Sequence, residues 1–246
     1  VTSSRQPIFN IPPVLTATLA ALVIVHAARA LLLSPRDDLY FLLLFAFIPG
    51  RYDPSLLLNG PFPGGFGADI WTFVSYALLH ADLMHLGFNA IWLLAFGTPV
   101  ARRFGPVRFL IFLAVTAAAG AAAHLITHPG EMAPMVGASA SISGAMAASL
   151  RFAFQRGGPI FDRYGGDEAY RQPALPLRAA LFHSPILVFI VVWFGLNYLF
   201  GIGALSLTDE VQSVAWQAHV GGFAAGLLLF GLFDPVRTTS LHHPGA

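Results

Sequence analysis

"FVSYALLHADLMHLGFNAIWLLAFG", residues 73–97, is the stretch on which the fold turns. It carries one formally charged residue, Asp82, and neither Lys nor Arg. A run of this length exceeds the ~20 apolar residues needed to cross a hydrocarbon core about 30 Å thick, so it predicts a membrane span over 74–98. It also holds His80, His85 and Asn89. Polar side chains inside a span are costly, and their presence is a functional signal by default.

Five more segments read the same way: roughly 13–33, 106–127, 137–155, 185–204 and 213–233. The apolar run "LYFLLLFAFIPG" (39–50) is too short to cross and ends at Pro49 and Gly50. It predicts an interfacial or partly inserted piece of a long first loop. Composition agrees: of 246 residues 56% are apolar and 10% charged, with a mean hydropathy of +0.69, against about 25% charged in soluble domains. The expectation is an all-α membrane protein, a single integral domain over 1–246 with its N-terminal span at 13–33. That first apolar run is too long for a signal-peptide core and is expected to be a retained span. No cysteine is present, which excludes disulfides, thiolate metal sites and cysteine nucleophiles.

Every basic residue among the 13 is arginine, and their placement sets the orientation. Arg102, Arg103 and Arg108 follow the second span; Arg151, Arg156, Arg163, Arg171 and Arg178 follow the fourth; Arg237 follows the sixth. The alternate connections, "THPGEMAPM" (127–135) and "ALSLTDEVQS" (204–213), contain no Arg. Excess positive charge in short loops marks the cytoplasmic side, so both termini are expected there.

The buried polar residues then fall into a pattern. His85 and Asn89 lie four apart and share one helix face, with His80 on a neighbouring part of that face. His219 sits about six residues into the last span, roughly 9 Å below its outer end. The fourth span opens with "MVGASASISGAMAASL" (135–150), which places Ser139 in its first turn. Ser139 meets that depth if its helix starts below the surface, behind a loop that dips into the protein. Gly222 and Gly226 on the last span, and Ala140 and Gly144 on the fourth, have the small-xxx-small spacing that lets membrane helices touch. Gly222 lies three residues from His219, so close contact turns the histidine toward Ser139, as a nucleophile and its base require.

Two other chemistries fit less well. Zinc on His80, His85 and His219 lacks the His-x3-His alignment and any HExxH motif, and Asp82 is expected to point away from the His85 face. A transporter would show related halves or interrupted spans with paired charges, and the sequence shows no such halves. His26, His124, His128, His183, His242 and His243 are read as structural or surface residues.

Taken together, "HADLMHLGFN", "GASASISG" and "AHVGGFAAG" resemble the motifs of the rhomboid family of intramembrane serine proteases, over roughly residues 70–233. The resemblance implies a six-transmembrane-helix rhomboid-like bundle and a Ser–His dyad below the outer membrane surface, with no metal and no cofactor. Position by position it implies Ser139 as nucleophile and His219 as general base. His85 and Asn89 match the oxyanion-stabilising side chains, and His80 a further polar position near them. The implied partners are transmembrane protein substrates and the lipid bilayer, not nucleic acid. The implied location is a bacterial inner membrane, with the site opening outward. Ala140 departs from the Gly that usually follows the nucleophile. "GIGALSLTDEVQS" (201–213) is expected to be a mobile cap. Among the serines Ser143 is the competitor, one turn below; the Gly-Ala-Ser context, the first-turn position and the depth favour Ser139. The rival function is a catalytically inactive family member that binds transmembrane helices as an adaptor or chaperone.

Overall fold

The computed structural model describes residues 11–160, 166–202 and 215–236. Within them the regular structure is helical, apart from one antiparallel bridge between Phe47 and Met135. Residues 203–213 of the expected cap at 201–213, and the residues around Arg163 and Arg237, lie outside the described residues.

α1 (Pro13–Leu32) opens on a proline in its first turn, where the missing N–H costs nothing. α2 (Pro35–Phe45) starts where Ser34 accepts a hydrogen bond from the Asp37 N–H at 3.2 Å, with Asp37 and Asp38 in the first turn. Its 11 residues span about 16 Å, too short to cross, as expected for this run. Two 3₁₀ turns, Pro49–Tyr52 and Leu56–Asn59, lead to α3 (Gly65–Ser75). The buried Arg51 holds this first loop together. Its guanidinium donates to the Leu43 carbonyl and to the Pro63 carbonyl at 3.1 Å, and pairs with Asp69 at 3.4 Å.

The second span differs from its expected bounds. α3 and a short 3₁₀ turn (Tyr76–Leu78) end before His80, and the crossing helix begins afresh at Leu83. Asp82 is the reason: its carboxylate accepts the His85 N–H at 2.8 Å and caps a new N-terminus. It faces the first turn holding His85 rather than pointing away from it. The span then runs as α4 (Leu83–Trp92), a π-helical turn (Leu93–Gly97) and α5 (Thr98–Phe104), a continuous 22-residue crossing. Pro99 explains the π turn, since its ring lacks an N–H and would clash with the carbonyl four residues back.

α6 (Pro106–Thr127), α9 (Ser184–Gly201) and α10 (Trp216–Phe233) match their expected spans closely, with the five-residue α8 (Leu177–Leu181) before α9. Among the described residues five helical crossings are long and apolar enough to span a bilayer. The sixth helix of the bundle, α7 (Ser139–Leu150), has 12 residues and measures about 18 Å, well short of the expected 137–155. It stands in the middle, with every residue from Ala140 to Leu150 buried.

α6, α7 and α10 pack with almost no side chain between them. A Cβ on Gly222 would overlap the Ala140 carbonyl, and one on Gly226 the Gly144 carbonyl. One on Gly120 would lie 2.5 Å from the Ala140 Cβ and 2.8 Å from the Ala218 carbonyl oxygen. Such backbone contact is a main source of helix association in lipid. Outside, Ile24, Leu31, Ile91, Leu110, Val191 and Leu228 are exposed, an apolar surface suited to acyl chains. At one end Arg103 makes a bidentate pair with Asp234 (2.8 and 2.8 Å) and donates to the Tyr170 and Gln172 carbonyls. The other end carries the polar site.

Candidate active site

α7 begins below the surface because the connection before it is tied inward. Phe47 and Met135 exchange backbone hydrogen bonds of 3.1 and 2.8 Å, and the Gly137 N–H donates to the Tyr76 carbonyl at 3.0 Å. Gly137 has φ +122°, a conformation favouring glycine, and a Cβ there would lie 2.6 Å from His85 Nε2 and 3.8 Å from Ser139 Oγ. The glycine thus leaves a small space bounded by His85, the Ser139 hydroxyl and the start of α7. Ala138 provides no side-chain cap, so among the described residues the first N–H groups of α7 are left uncapped, as suits an anion.

The four serines of this stretch meet four different fates. Ser141 donates to the Leu113 carbonyl at 2.8 Å, Ser143 to the Ser139 carbonyl at 2.7 Å, and Ser149 to the Met146 carbonyl at 2.7 Å. Ser139 Oγ lies 2.7 Å from His219 Nε2, in the first turn of α10. It alone among them faces a base. The small-residue faces that draw α7 and α10 together bring these two groups into contact, as their spacing anticipates.

His219 has a second partner. Its Nδ1 lies 2.5 Å from Asn197 Oδ1 on α9, and Asn197 Nδ2 donates to the Trp193 carbonyl at 2.8 Å. That second bond fixes the amide, because only its NH₂ can donate to a carbonyl. Oδ1 is therefore the atom facing the ring, Nδ1 carries the hydrogen, and Nε2 keeps its lone pair for the Ser139 hydroxyl. Asn197 is not among the residues that the sequence motifs single out. Its signal was available, as a polar residue within an apolar span.

His85 stands in the first turn of α4 with its ring toward Gly137. Asn89, buried one turn on, donates through Nδ2 to the His85 carbonyl at 2.9 Å and retains its second N–H. His80 belongs to the connector before the helix and shares no helical face with His85. It is fully buried, edge-on to His85 with ring centroids 5.1 Å apart, and its carbonyl accepts from Arg29 Nη1 at 3.0 Å. Among the described residues its ring nitrogens have no hydrogen-bond partner, and burial holds the imidazole well below its usual range, down to about 4. His80 supports the His85 ring by packing.

The expected set of Ser139, His219, His85, Asn89 and His80 therefore gathers at one end of the bundle, on α7, α10, α4 and the connector preceding α4. Ser139, His85 and His219 are each half-buried.

The chain is similar to known proteins. A family model described as "Rhomboid domain" matches residues 67–234. The chain is 24% identical over 183 residues to a protein named rhomboid protease GlpG from Enterobacter sp. (strain 638), covering 74% of this chain and 55% of that one. It is 27% identical over 161 residues to the protein of the same name from Serratia proteamaculans (strain 568), covering 65% and 47%. The chain spans about half the length of the curated relatives it matches.

Proposed function

The chain belongs to the rhomboid family, and on that footing we propose that it is an intramembrane serine protease, cutting peptide bonds in or near the transmembrane segments of other membrane proteins. The observation that carries this reading is the 2.7 Å contact between Ser139 Oγ and His219 Nε2, while the other three hydroxyls of the stretch are spent on backbone carbonyls.

In this mechanism His219 Nε2 takes the proton of Ser139 as Oγ attacks the scissile carbonyl. The oxyanion forms in the space beside Gly137, within reach of the Ser139 N–H, His85 Nε2–H and the free N–H of Asn89. Each such donor is typically worth about 10²–10³ in rate. The N-terminal end of α7 adds a favourable dipole. The imidazolium then protonates the leaving amine, and water entering from the polar end hydrolyses the acyl-enzyme with His219 again as base. Asn197 holds the Nδ1 hydrogen throughout. A substrate helix must unwind to present its amide, so helix-breaking residues near the cleavage point favour cutting.

The membrane location follows from the spans, and the orientation from charge. Arg102, Arg103 and Arg151 sit at the end opposite Ser139, so the positive-inside rule puts both termini in the cytoplasm and the site on the outer side. A bacterial inner membrane fits this arrangement and the sources of the two relatives.

The test uses the purified full chain in detergent with a single-span substrate. Cleavage and labelling by a fluorophosphonate are both lost in Ser139→Ala and His219→Ala, and both persist in Ser143→Ala. No cleavage of any single-span substrate by the wild type, in detergent or in vesicles, would favour the adaptor function.

A further inference from the structure

Away from the Ser139–His219 pair, three side chains meet where α6 runs into the connection to α7. His124 lies in the last turn of α6, His128 is its C-terminal cap and Glu131 follows in the turn. One ligand-capable atom from each lies within 4.8 Å of the other two. The spacing is His-x3-His, which puts two imidazoles on one helix face, and here their rings stack at 4.5 Å.

The polar atoms of this group are poorly satisfied by protein. Among the described residues the buried His124 has no partner for its Nδ1, and the buried Glu131 Oε2 has no hydrogen bond. His124 Nε2 and Glu131 Oε2 are 3.4 Å apart. That is long for a hydrogen bond between these atoms. It is, however, close to the edge of a tetrahedron built on metal–ligand bonds of about 2.1 Å. His128 is set up as a ligand by its neighbour. Thr127 Oγ1 donates to the carbonyls of Ala123 and His124, so it accepts the hydrogen of His128 Nδ1 at 2.8 Å. This leaves the lone pair of His128 Nε2 free, an outer-sphere arrangement typical of metal-bound histidines. Asp53 adds negative charge: a Cβ on Gly130, within the same turn, would lie 3.0 Å from Asp53 Oδ2.

We propose that His124, His128 and Glu131 form a binding site for a divalent cation of the zinc class. Two imidazoles and a carboxylate suit zinc and its neighbours rather than magnesium or calcium, which prefer all-oxygen shells. Three protein ligands leave a fourth position for water. The Glu131 backbone is itself tied down: its carbonyl accepts the Gly50 N–H at 2.7 Å, and its N–H donates to the His128 carbonyl at 3.3 Å. The cation therefore staples the end of α6 to the connection that continues through Met135 and Gly137 into Ser139. Its role is structural, and the inference stands apart from the proteolytic reading.

The test is Zn²⁺ binding by the full chain in detergent after chelator stripping, read by competition with a chromophoric chelator and by thermal unfolding. About one equivalent is expected to bind and to raise the melting temperature, with Mg²⁺ doing neither. His128→Ala and Glu131→Gln each lower the Zn²⁺ affinity at least tenfold and remove the thermal shift, with metal-free melting unchanged. Replacing His242 and His243 by alanine leaves binding intact. Failure of the wild type to take up Zn²⁺ saturably, or wild-type affinity in Glu131→Gln and His128→Ala, overturns the proposal. If His128→Ala does not fold, the near-isosteric Glu131→Gln decides alone.

Discussion

Asn197→Ala is the sharpest probe of the site, because Asn197 touches the base and nothing else in the reaction. Its Oδ1 accepts from His219 Nδ1, and Ser139 Oγ stands 2.7 Å from the ring's other nitrogen. Removing the acceptor releases the ring to exchange tautomers, and the form that carries Nε2–H presents a hydrogen to a hydroxyl that needs a lone pair. It also takes a hydrogen bond from the imidazolium that develops as Ser139 attacks. A hydrogen bond to a charged group is worth about 1.5–3 kcal/mol, which is roughly 10- to 150-fold in rate at about 1.4 kcal/mol per decade. The loss should appear in kcat, with KM unchanged, because the substrate never meets this side chain. Asn197→Asp keeps an acceptor in place and should recover most of the rate. The assay is steady-state cleavage of a fluorogenic transmembrane peptide in detergent, with the rate of fluorophosphonate labelling as an independent measure of Ser139 reactivity. A folded Asn197→Ala protein with wild-type kcat, or one altered only in KM, would refute the argument that Asn197 positions His219.

Other parts of the structure make equally direct predictions. Gly222→Ala drives a methyl into the Ala140 carbonyl and should cost about 1–3 kcal/mol of stability, whereas Gly231→Ala on the same helix meets nothing within 4 Å and should leave the melting temperature unchanged or raised. Arg51→Lys should lower the melting temperature nearly as much as Arg51→Ala, because a single ammonium does not reproduce the fork that reaches Leu43, Pro63 and Asp69. His80 is neutral when folded, with its pKa held down to about 4 chiefly by burial and then by the charge of His85. The unfolded chain, at about 6.5, takes up the proton first, so stability should fall as pH drops from about 6.5 to about 4. Melting curves across that window should slope less for His80→Phe than for wild type; equal slopes would mean that His80 is not held neutral.

Much of this architecture is readable from local chemistry. Apolar runs such as 13–32 and 106–127 declare their length directly, and lone polar residues within them point to one end of the bundle. The small-residue faces on α7 and α10 encode their own contact, since only glycine permits backbones to meet at Ala140 and Gly144. Hydropathy fails where apolar sequence continues across a backbone break. The residues around His80 are as apolar as a span, yet Asp82 begins a new helix by capping, a local hydrogen bond that no window average detects. α7 is misjudged for a related reason: a helix of small residues buried on every side has no amphipathic edge to mark its end. Arg51 and Asn197 are harder still. Their partners lie up to 22 residues away, and their roles exist only once the chain has wrapped.

α7 is shielded from lipid along nearly its whole length, and this has a consequence for how it is free to vary. A helix that meets acyl chains must be greasy, whereas one enclosed by other helices must above all be slim. Apart from Ile142 and Leu150, its alphabet of Gly, Ala, Ser and Met obeys volume rather than solubility in oil. Hydroxyl groups are therefore tolerated along it at little cost, each returned to a nearby carbonyl, and one of them is left over for another use. A thicker or thinner membrane would strain the outer helices first and reach the serine only through them.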